Sequence, residues 1–176
     1  MSARDELRKF ITDLAVVRGS FVLSSGATSD WYLDMRRLTL DHRAAPLVGQ
    51  VLNELTADWQ FEAVGGLTMG ADPVAAAMMH TSNRPLDAFV VRKADKVHGL
   101  QRRIEGPDVS GRKVLAVEDV NTTGSSVLTA VDALRNAGAE VIGVAVIVDR
   151  GAGEAVRTAG LSYRAAYTLA DLDLSA

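Results

Sequence analysis

The sequence predicts one α/β domain in which a mostly parallel central sheet is flanked by helices. Short apolar runs of strand length alternate along the chain with amphipathic segments of helical period, which is typical of such sheets. The run at 114–117 is continuously apolar, as expected of a central parallel strand covered on both faces. The 176 residues, 48% of them hydrophobic, can bury one full core and show no interdomain linker. We therefore expect a single domain over residues 1–176.

The composition excludes several classes of function. The formal net charge is -3, so no global basic field favours nucleic acid or an anionic membrane. The chain has no cysteine, which excludes disulfides, thiolate nucleophiles and zinc held by cysteine. The N-terminus is charged, and no apolar run approaches the roughly 18 residues of a membrane span. We expect a cytoplasmic protein that binds neither nucleic acid nor membrane.

The N-terminal part begins with a predicted helix. Ser2 followed by Asp5 is typical of a helix start, and Gly19 is a suitable end. Apolar residues recur between them at helical spacing, at Leu7, Phe10, Ile11, Leu14 and Val17. Residues 21–23 are predicted to be extended, and after a turn-rich connector the alternation at 31–35 predicts a strand with one buried face.

The next segments begin the alternation of helices and strands. Asp41 is predicted to open a helix with a regular apolar stripe. Residues 61–64 form a predicted strand that ends at Gly65-Gly66. Asp72-Pro73 is a good N-cap and N1 pair for a further helix, and residues 86–91 form another predicted strand.

The second half continues this pattern around a long loop. Residues 93–108 have no period and are predicted to be a loop before the 114–117 strand. A helix closed by Gly138 follows, then a buried strand at 141–148 and an extended segment at 161–169. In parallel sheets, ligands bind beyond the carboxyl ends of the strands. We therefore expect functional residues directly after Val64, Val91, Val117 and Val148.

Two carboxylates and a hydroxyl-rich turn follow the 114–117 strand. Glu118 and Asp119 can accept hydrogen bonds from sugar hydroxyls. Residues 122–126, with Gly124 at their centre, open a helix whose free N–H groups and dipole suit a phosphate. The alternative to a binding site is that the two acids simply end a strand at solvent and that the turn only caps a helix. A Walker A loop and a dinucleotide fingerprint are absent.

This string resembles the type I phosphoribosyltransferase family, whose motif for 5-phosphoribosyl 1-diphosphate (PRPP) is an apolar strand, two acidic residues and a Thr-Gly loop. The resemblance implies that Glu118 and Asp119 meet the ribose hydroxyls while Asn121 to Ser126 hold the 5-phosphate. It also implies Asp119 as a catalytic carboxylate that stabilises charge on the sugar. The PRPP-binding residues implied here are Glu118, Asp119, Val120, Asn121, Thr122, Thr123, Gly124, Ser125 and Ser126.

A basic segment follows the 86–91 strand. From Arg92 to Arg103 there are five Lys or Arg and one acid, a balance suited to a polyanion such as pyrophosphate. From charge alone, a solvated surface loop is equally expected. The pattern resembles the mobile catalytic loop of orotate phosphoribosyltransferases. The resemblance implies that Arg92, Lys93, Lys96 and His98 contact pyrophosphate, that Lys96 and His98 are catalytic, and that a homodimer shares the loop.

Arg150 follows the 141–148 strand, where an arginine commonly pairs with an acid. The planar fork of arginine also suits a carboxylate such as that of orotate. In the resembled family the matching arginine and the threonine at Thr122 contact orotate. A similar N-terminal motif implies that residues 1–40 form a hood over the base. Ser24, Leu33 and Met69 depart from the family pattern, so they are not assigned to the site.

The resemblance implies transfer of phosphoribose from PRPP to orotate, giving orotidine 5'-monophosphate and pyrophosphate for pyrimidine (UMP) synthesis. Mg²⁺ is implied as the cofactor, bound through PRPP with Asp119 as a candidate ligand. Two alternatives stay open: a phosphoribosyltransferase for another base, and a PRPP-sensing regulator on the same fold. His42 and His80 match nothing functional.

Overall fold

The computed structural model describes residues 1–22, 26, 28–93 and 103–174. The helices are α1 Ala3–Phe10, α2 Arg36–Thr39, α3 Ala44–Leu55, α4 Ala71–Thr81, α5 Ser125–Asn136 and α6 Gly153–Thr158, with a π-helical turn at Ile11–Ala15 and a 3-10 turn at Ala170–Leu172. The strands are β1 Val16–Val22, β2 Thr28–Leu33, β3 Ala63–Leu67, β4 Asp87–Val91, β5 Ile104–Glu105, β6 Lys113–Asn121, β7 Glu140–Asp149 and β8 Tyr163–Thr168.

A six-stranded sheet with the order β5-β4-β3-β6-β7-β8 forms the centre of the molecule. Its pairings are parallel except for the antiparallel edge strand β5. The two faces bury separate apolar clusters: Leu115 and Val117 of β6 pack with α1, α3 and α4, whereas Val114 and Ala116 pack with α5 and α6. The predicted fold class is therefore confirmed. None of the described helices has the length and apolar character needed to span a bilayer.

The N-terminal prediction was right at the start of the helix and wrong at its end. Ser2 Oγ accepts the Asp5 N–H at 3.1 Å, and the Asp5 carboxylate accepts the Ser2 N–H at 3.2 Å. The helix does not continue to Gly19, however, because β1 begins at Val16 and pairs antiparallel with β2. Gly19 lies within that strand. The β-branched Val16 and Val17 suit the hairpin better than another helical turn.

Strand β3 runs through Gly65 and Gly66 instead of ending there. A Cβ atom at Gly65 would lie 2.2 Å from the Phe89 carbonyl oxygen, and one at Gly66 would lie 2.1 Å from that of Val117. The two glycines therefore allow the backbones of β4 and β6 to approach β3 closely. Composition alone makes a Gly-Gly pair resemble a turn, so the close packing was not predicted.

The two predicted helix starts had different outcomes. Asp41 lies just before α3, which begins at Ala44 with Arg43 at the N-cap position, and Asp41 Oδ1 accepts the N–H groups of Arg43 at 2.9 Å and Ala44 at 3.2 Å. Asp72 does not cap α4, because that helix begins at Ala71 and Asp72 lies inside its first turn. The Asp72 carboxylate instead accepts a 2.6 Å hydrogen bond from Thr68 Oγ1. The short helices α2 and α6 were not predicted, since they are too short to show a helical period.

Strand β6 is longer than the apolar run that predicted it. Its parallel pairing with β7 continues to Asn121, which lies opposite Asp149. The acidic pair therefore lies on the last part of the strand, not after it. β5 lies within the predicted 93–108 loop, because a two-residue edge pairing leaves no periodic signal. Gly138 ends α5 as predicted, with φ +81°.

Candidate active site

A cavity of about 310 Å³ lies at the carboxyl ends of β3, β4, β6 and β7, with β2 forming one wall. The lining residues are Tyr32, Leu33, Asp34, Met35, Arg36, Leu67, Thr68, Met69, Gly70, Lys93, Glu118, Asp119, Val120, Thr122, Ser126 and Arg150. The topology thus brings together residues from predicted site segments that are far apart in sequence.

The acidic pair lies in a poorly solvated part of this cavity. Only 5% of Glu118 is exposed, and burial, followed by the charge of Asp119, raises the pKa of Glu118 to about 8. Burial also raises the pKa of Asp119, against lowering contributions that include the charge of Arg36. The Asp119 N–H donates to Glu118 Oε1 at 3.1 Å, and the Val120 N–H donates to Asp119 Oδ1 at 2.7 Å. These bonds fix the position of the pair. A ligand that supplies positive charge or hydrogen-bond donors would stabilise the ionised form of the two carboxylates.

Gly70 makes room for the acidic pair. A Cβ atom at Gly70 would lie 2.4 Å from Glu118 Oε1 and 2.9 Å from Asp119 Oδ1. The preceding loop is fixed by the Thr68 N–H, which donates to the Val91 carbonyl at 2.9 Å, and its Thr68–Met69 peptide bond is cis. This loop therefore forms the wall opposite the carboxylates.

The phosphate turn has the predicted position between β6 and α5. Gly124 has φ +83°, a conformation that favours glycine, and its N–H donates to Asn121 Oδ1 at 2.9 Å. Thr122 and Ser126 line the cavity, whereas Thr123, Gly124 and Ser125 do not.

Asn121 also lies outside the cavity lining and is only 2% exposed. Both polar atoms of its side chain bond within the protein, since Nδ2 donates to the Tyr163 hydroxyl at 3.0 Å. The structure thus places Asn121 behind the phosphate turn.

Arg150 lines the cavity from the end of β7. Its guanidinium lies 5.0 Å from the centre of the Trp31 ring, and its main-chain N–H donates to the main-chain carbonyl of Asn121 at 2.9 Å. Within the described ranges no carboxylate forms an ion pair with Arg150, so the simple acid-pairing alternative finds no support. The arginine fork is thus held by stacking while its charge is left for a ligand.

The basic segment is described only in part. Lys93 lines the cavity. Arg92 does not: its Nη1 lies 3.6 Å from Glu105 Oε1, at the base of the loop. Lys96 and His98, the two predicted catalytic residues of this segment, lie outside the described residues, as does Ser24.

Several wall residues were not predicted as site residues. Leu33 and Met69, which depart from the family pattern, both line the cavity, and so do Arg36 and Thr68. Arg36 and Thr68 lie in stretches that resemble the family's N-terminal motif and its pyrophosphate-side loop, but the sequence assigned neither residue to the site. His42 and His80 lie together in a separate groove.

Comparisons with known proteins identify the family. Residues 38–162 match the phosphoribosyl transferase domain family. The chain belongs to this family. It is 62% identical to the orotate phosphoribosyltransferase of Streptomyces avermitilis over 177 aligned residues, covering 97% of each chain.

Solved structures support the same family assignment. Mycobacterium tuberculosis H37Rv orotate phosphoribosyltransferase in complex with Fe(III) dicitrate matches with a TM-score of 0.92 and 56% identity, over 98% of this chain and all of the other. The same enzyme in complex with PRPP matches with a TM-score of 0.88 and 52% identity, over 98% of this chain and 100% of that one. Within the phosphoribosyltransferase family, the chain therefore resembles the orotate enzymes over nearly its whole length.

Proposed function

We propose that this protein transfers the 5-phosphoribosyl group from PRPP to orotate, giving orotidine 5'-monophosphate and pyrophosphate for pyrimidine (UMP) synthesis. One observation carries the proposal: the acidic pair, the phosphate turn and Arg150 line a single cavity. Relatives named orotate phosphoribosyltransferase at 57–62% identity support it. A PRPP complex of one of them supports PRPP as a substrate.

Each group of lining residues suits a different part of the two substrates. Glu118 and Asp119 accept hydrogen bonds from the ribose hydroxyls, and the turn from Thr122 to Ser126 holds the 5-phosphate. Arg150 pairs with the orotate carboxylate by two parallel N–H···O bonds, assisted by Thr122. Lys93 lies where the pyrophosphate is expected, and Arg92, Lys96 and His98 complete that contact by family resemblance.

The reaction needs charge stabilisation at two places. If pyrophosphate departs first, the sugar becomes cation-like, and the carboxylate of Asp119 stabilises that charge. Lys96 and His98 neutralise the leaving pyrophosphate. Arg150 orients the base so that its ring nitrogen faces the sugar carbon.

Mg²⁺ is proposed as the cofactor, and the cavity fits it. Glu118 and Asp119 offer carboxylate oxygens at the position of the ribose, but the described residues contain no group of three or more potential metal ligands. Such a site suits an ion held mainly by substrate oxygens together with one or two carboxylates, with Asp119 as the candidate ligand. When bound, Mg²⁺ offsets the charge of the PRPP phosphates.

Three further proposals rest on the family resemblance. Residues 1–40 act as a hood over the base, consistent with the position of Tyr32 and Leu33 in the cavity wall. Two chains form a homodimer in which each loop serves the partner's site. The enzyme works in the cytoplasm as one domain over residues 1–176.

A base panel tests the function. The protein is mixed with Mg²⁺, PRPP and orotate, uracil, adenine or hypoxanthine in turn, and nucleotides are identified by mass spectrometry. We expect orotidine 5'-monophosphate with orotate and at most traces with the other bases, because they lack the carboxylate that pairs with Arg150. If a nucleotide formed only with another base, that base and not orotate would be the substrate. PRPP binding without any product would favour a regulator.

A further inference from the structure

A buried polar network lies directly behind the cavity and joins its two halves. Asn121 occupies the centre, at 2% exposure. Its side-chain Oδ1 accepts the Gly124 N–H of the phosphate turn at 2.9 Å. Its main-chain carbonyl accepts the main-chain N–H of Arg150 at 2.9 Å. One residue thus fixes the turn on the phosphate side and the arginine on the base side.

Tyr163 of β8 fixes the orientation of Asn121. Its hydroxyl accepts a hydrogen bond from Asn121 Nδ2 at 3.0 Å, and the tyrosine is 8% exposed. Without this contact, only the Gly124 N–H would hold the Asn121 amide in its orientation, and the position of the phosphate turn would be less well fixed.

The network extends to the turn that follows Arg150. Burial, followed by the charge and hydrogen bonding of the Asp149 carboxylate, raises the pKa of Tyr163. Asp149 Oδ1 also accepts the N–H groups of Gly151 at 3.0 Å and Ala152 at 2.9 Å. A Cβ atom at Gly153 would lie 2.6 Å from the Tyr163 ring and 2.9 Å from Asp149 Oδ2, so glycine makes room for this contact.

We infer that Tyr163 is a positioning residue: through the Asn121 side chain it holds the phosphate turn, and through its packing with Asp149 it holds the turn that follows Arg150. It thereby supports binding of both substrates without touching either. The inference rests on the proposed function for the role of Arg150. It also gives Asn121 a positioning role behind the phosphate turn rather than a direct contact with the phosphate.

Tyr163→Phe removes only the hydroxyl, and Tyr167→Phe is a matched control. Tyr167 lies on the same strand, is 1% exposed, and donates its hydroxyl to the Arg4 carbonyl at 2.6 Å, outside the cavity lining. Each ring also lies beneath an arginine, Arg157 for Tyr163 and Arg4 for Tyr167. The two variants thus delete the same group from two buried tyrosines of one strand.

Four quantities are measured for the wild type and both variants: the Kd of ribose 5-phosphate by calorimetry, the KM of orotate at saturating PRPP, kcat, and Tm. We expect Tyr163→Phe to raise both the Kd and the KM by roughly three- to tenfold, the effect of about one lost hydrogen bond. Tyr167→Phe should lower Tm similarly but keep both constants within about twofold of wild type. Gly153→Ala should displace the Tyr163 ring and so have the same effect as Tyr163→Phe. It takes the place of Tyr163→Phe in the experiment if the tyrosine variant does not fold.

Equal substrate constants for the two tyrosine variants would overturn the inference and leave Tyr163 a structural role. An effect on ribose 5-phosphate alone would overturn the link to Arg150. Failure of the proposed function is distinguishable, because a wild type that does not convert orotate still has a measurable Kd for ribose 5-phosphate. In that case an unchanged Kd in Tyr163→Phe would overturn the inference, and a raised Kd would support its phosphate half.

Discussion

Glu118 lies within a few ångströms of a second carboxylate in a part of the cavity that water reaches poorly. Its pKa of about 8 in the folded protein lies well above the ordinary value of 4.5. The folded state therefore binds a proton more tightly than the unfolded chain between these two values. The resulting stabilisation is fully present below pH 4.5 and is lost as the pH rises towards 8.

Glu118→Gln should remove this pH dependence. Relative to the variant, the wild type should lose free energy of unfolding between pH 5 and pH 8, at up to about 1.4 kcal/mol per pH unit. Urea unfolding of both proteins at pH 5, 6.5 and 8 measures the difference, and other titrating groups largely cancel in it. Parallel curves would show that Glu118 ionises normally in the folded state.

Arg150→Ala tests the base contact. A lost charge-assisted bidentate pair costs on the order of 2 to 4 kcal/mol, so the KM for orotate should rise strongly. The KM for PRPP should stay nearly constant, because the acidic pair and the phosphate turn remain, and it serves as the internal control. Arg150→Lys should recover little, since an ammonium group cannot form the planar fork. Unchanged orotate kinetics in Arg150→Ala would remove Arg150 from the base site.

At the scale of helices and strands, the sequence predicted the elements that show a clear local hydrophobic pattern. Continuous apolar runs predicted β6 and β7, and apolar residues at helical spacing predicted α3 and α5. The short α2 and α6 and the edge strand β5 depend on contacts between distant segments. The sequence predicted that the strand ends at the two glycines of β3, because a local pattern does not show that neighbouring strands pack closely against them.

The same distinction applies to the site. The acidic pair and the phosphate turn lie in one continuous segment of the sequence, and Arg150 directly follows a recognisable strand. The sequence could therefore predict both. The walls formed by Arg36 and Thr68 exist only because β2 and the loop after β3 fold over β6.

Gly66→Ala should destabilise the protein without altering the site chemistry. The new Cβ would meet the Val117 carbonyl of β6 and the Ala71 Cβ, neither of which can move aside easily. We expect a loss of about 1–3 kcal/mol in the free energy of unfolding, as for overpacked cores. Gly19→Ala is the control, since its Cβ would meet only the Phe21 ring at 3.2 Å. The comparison is by urea unfolding, and equal stability of the two variants would contradict the close strand packing.

At the scale of the whole molecule, the parallel sheet explains why one chain assembles most of a site. The carboxyl ends of β3, β4, β6 and β7 open on the same side, so residues from four connections meet there. Asp119 and Arg150 lie in the cavity of one chain. The proposed homodimer adds the loop of the partner, which has a physical reason: a cation-like sugar must be shielded from water, and a two-fold arrangement can place a long charged loop over the neighbouring site.

Subunit exchange tests this arrangement. Asp119→Asn and Lys96→Ala homodimers should both be poorly active. After mixing, half of the dimers should be mixed, each with one site that carries both defects and one that carries neither. Activity should then recover to about a quarter of wild type by this symmetry count. Steady-state rates before and after exchange measure the recovery, with exchange verified by two different tags.

The matched control for this experiment is Asp119→Asn mixed with Arg150→Ala. These two residues line the same cavity of one chain, so every site of the mixed dimer keeps one defect and no activity should return. Recovery with Lys96→Ala but not with Arg150→Ala would establish that the loop crosses between subunits. Verified exchange without recovery in either mixture would mean that Lys96 acts within its own subunit, because each site of the mixed dimer then keeps one defect, or that the two sites are tightly coupled.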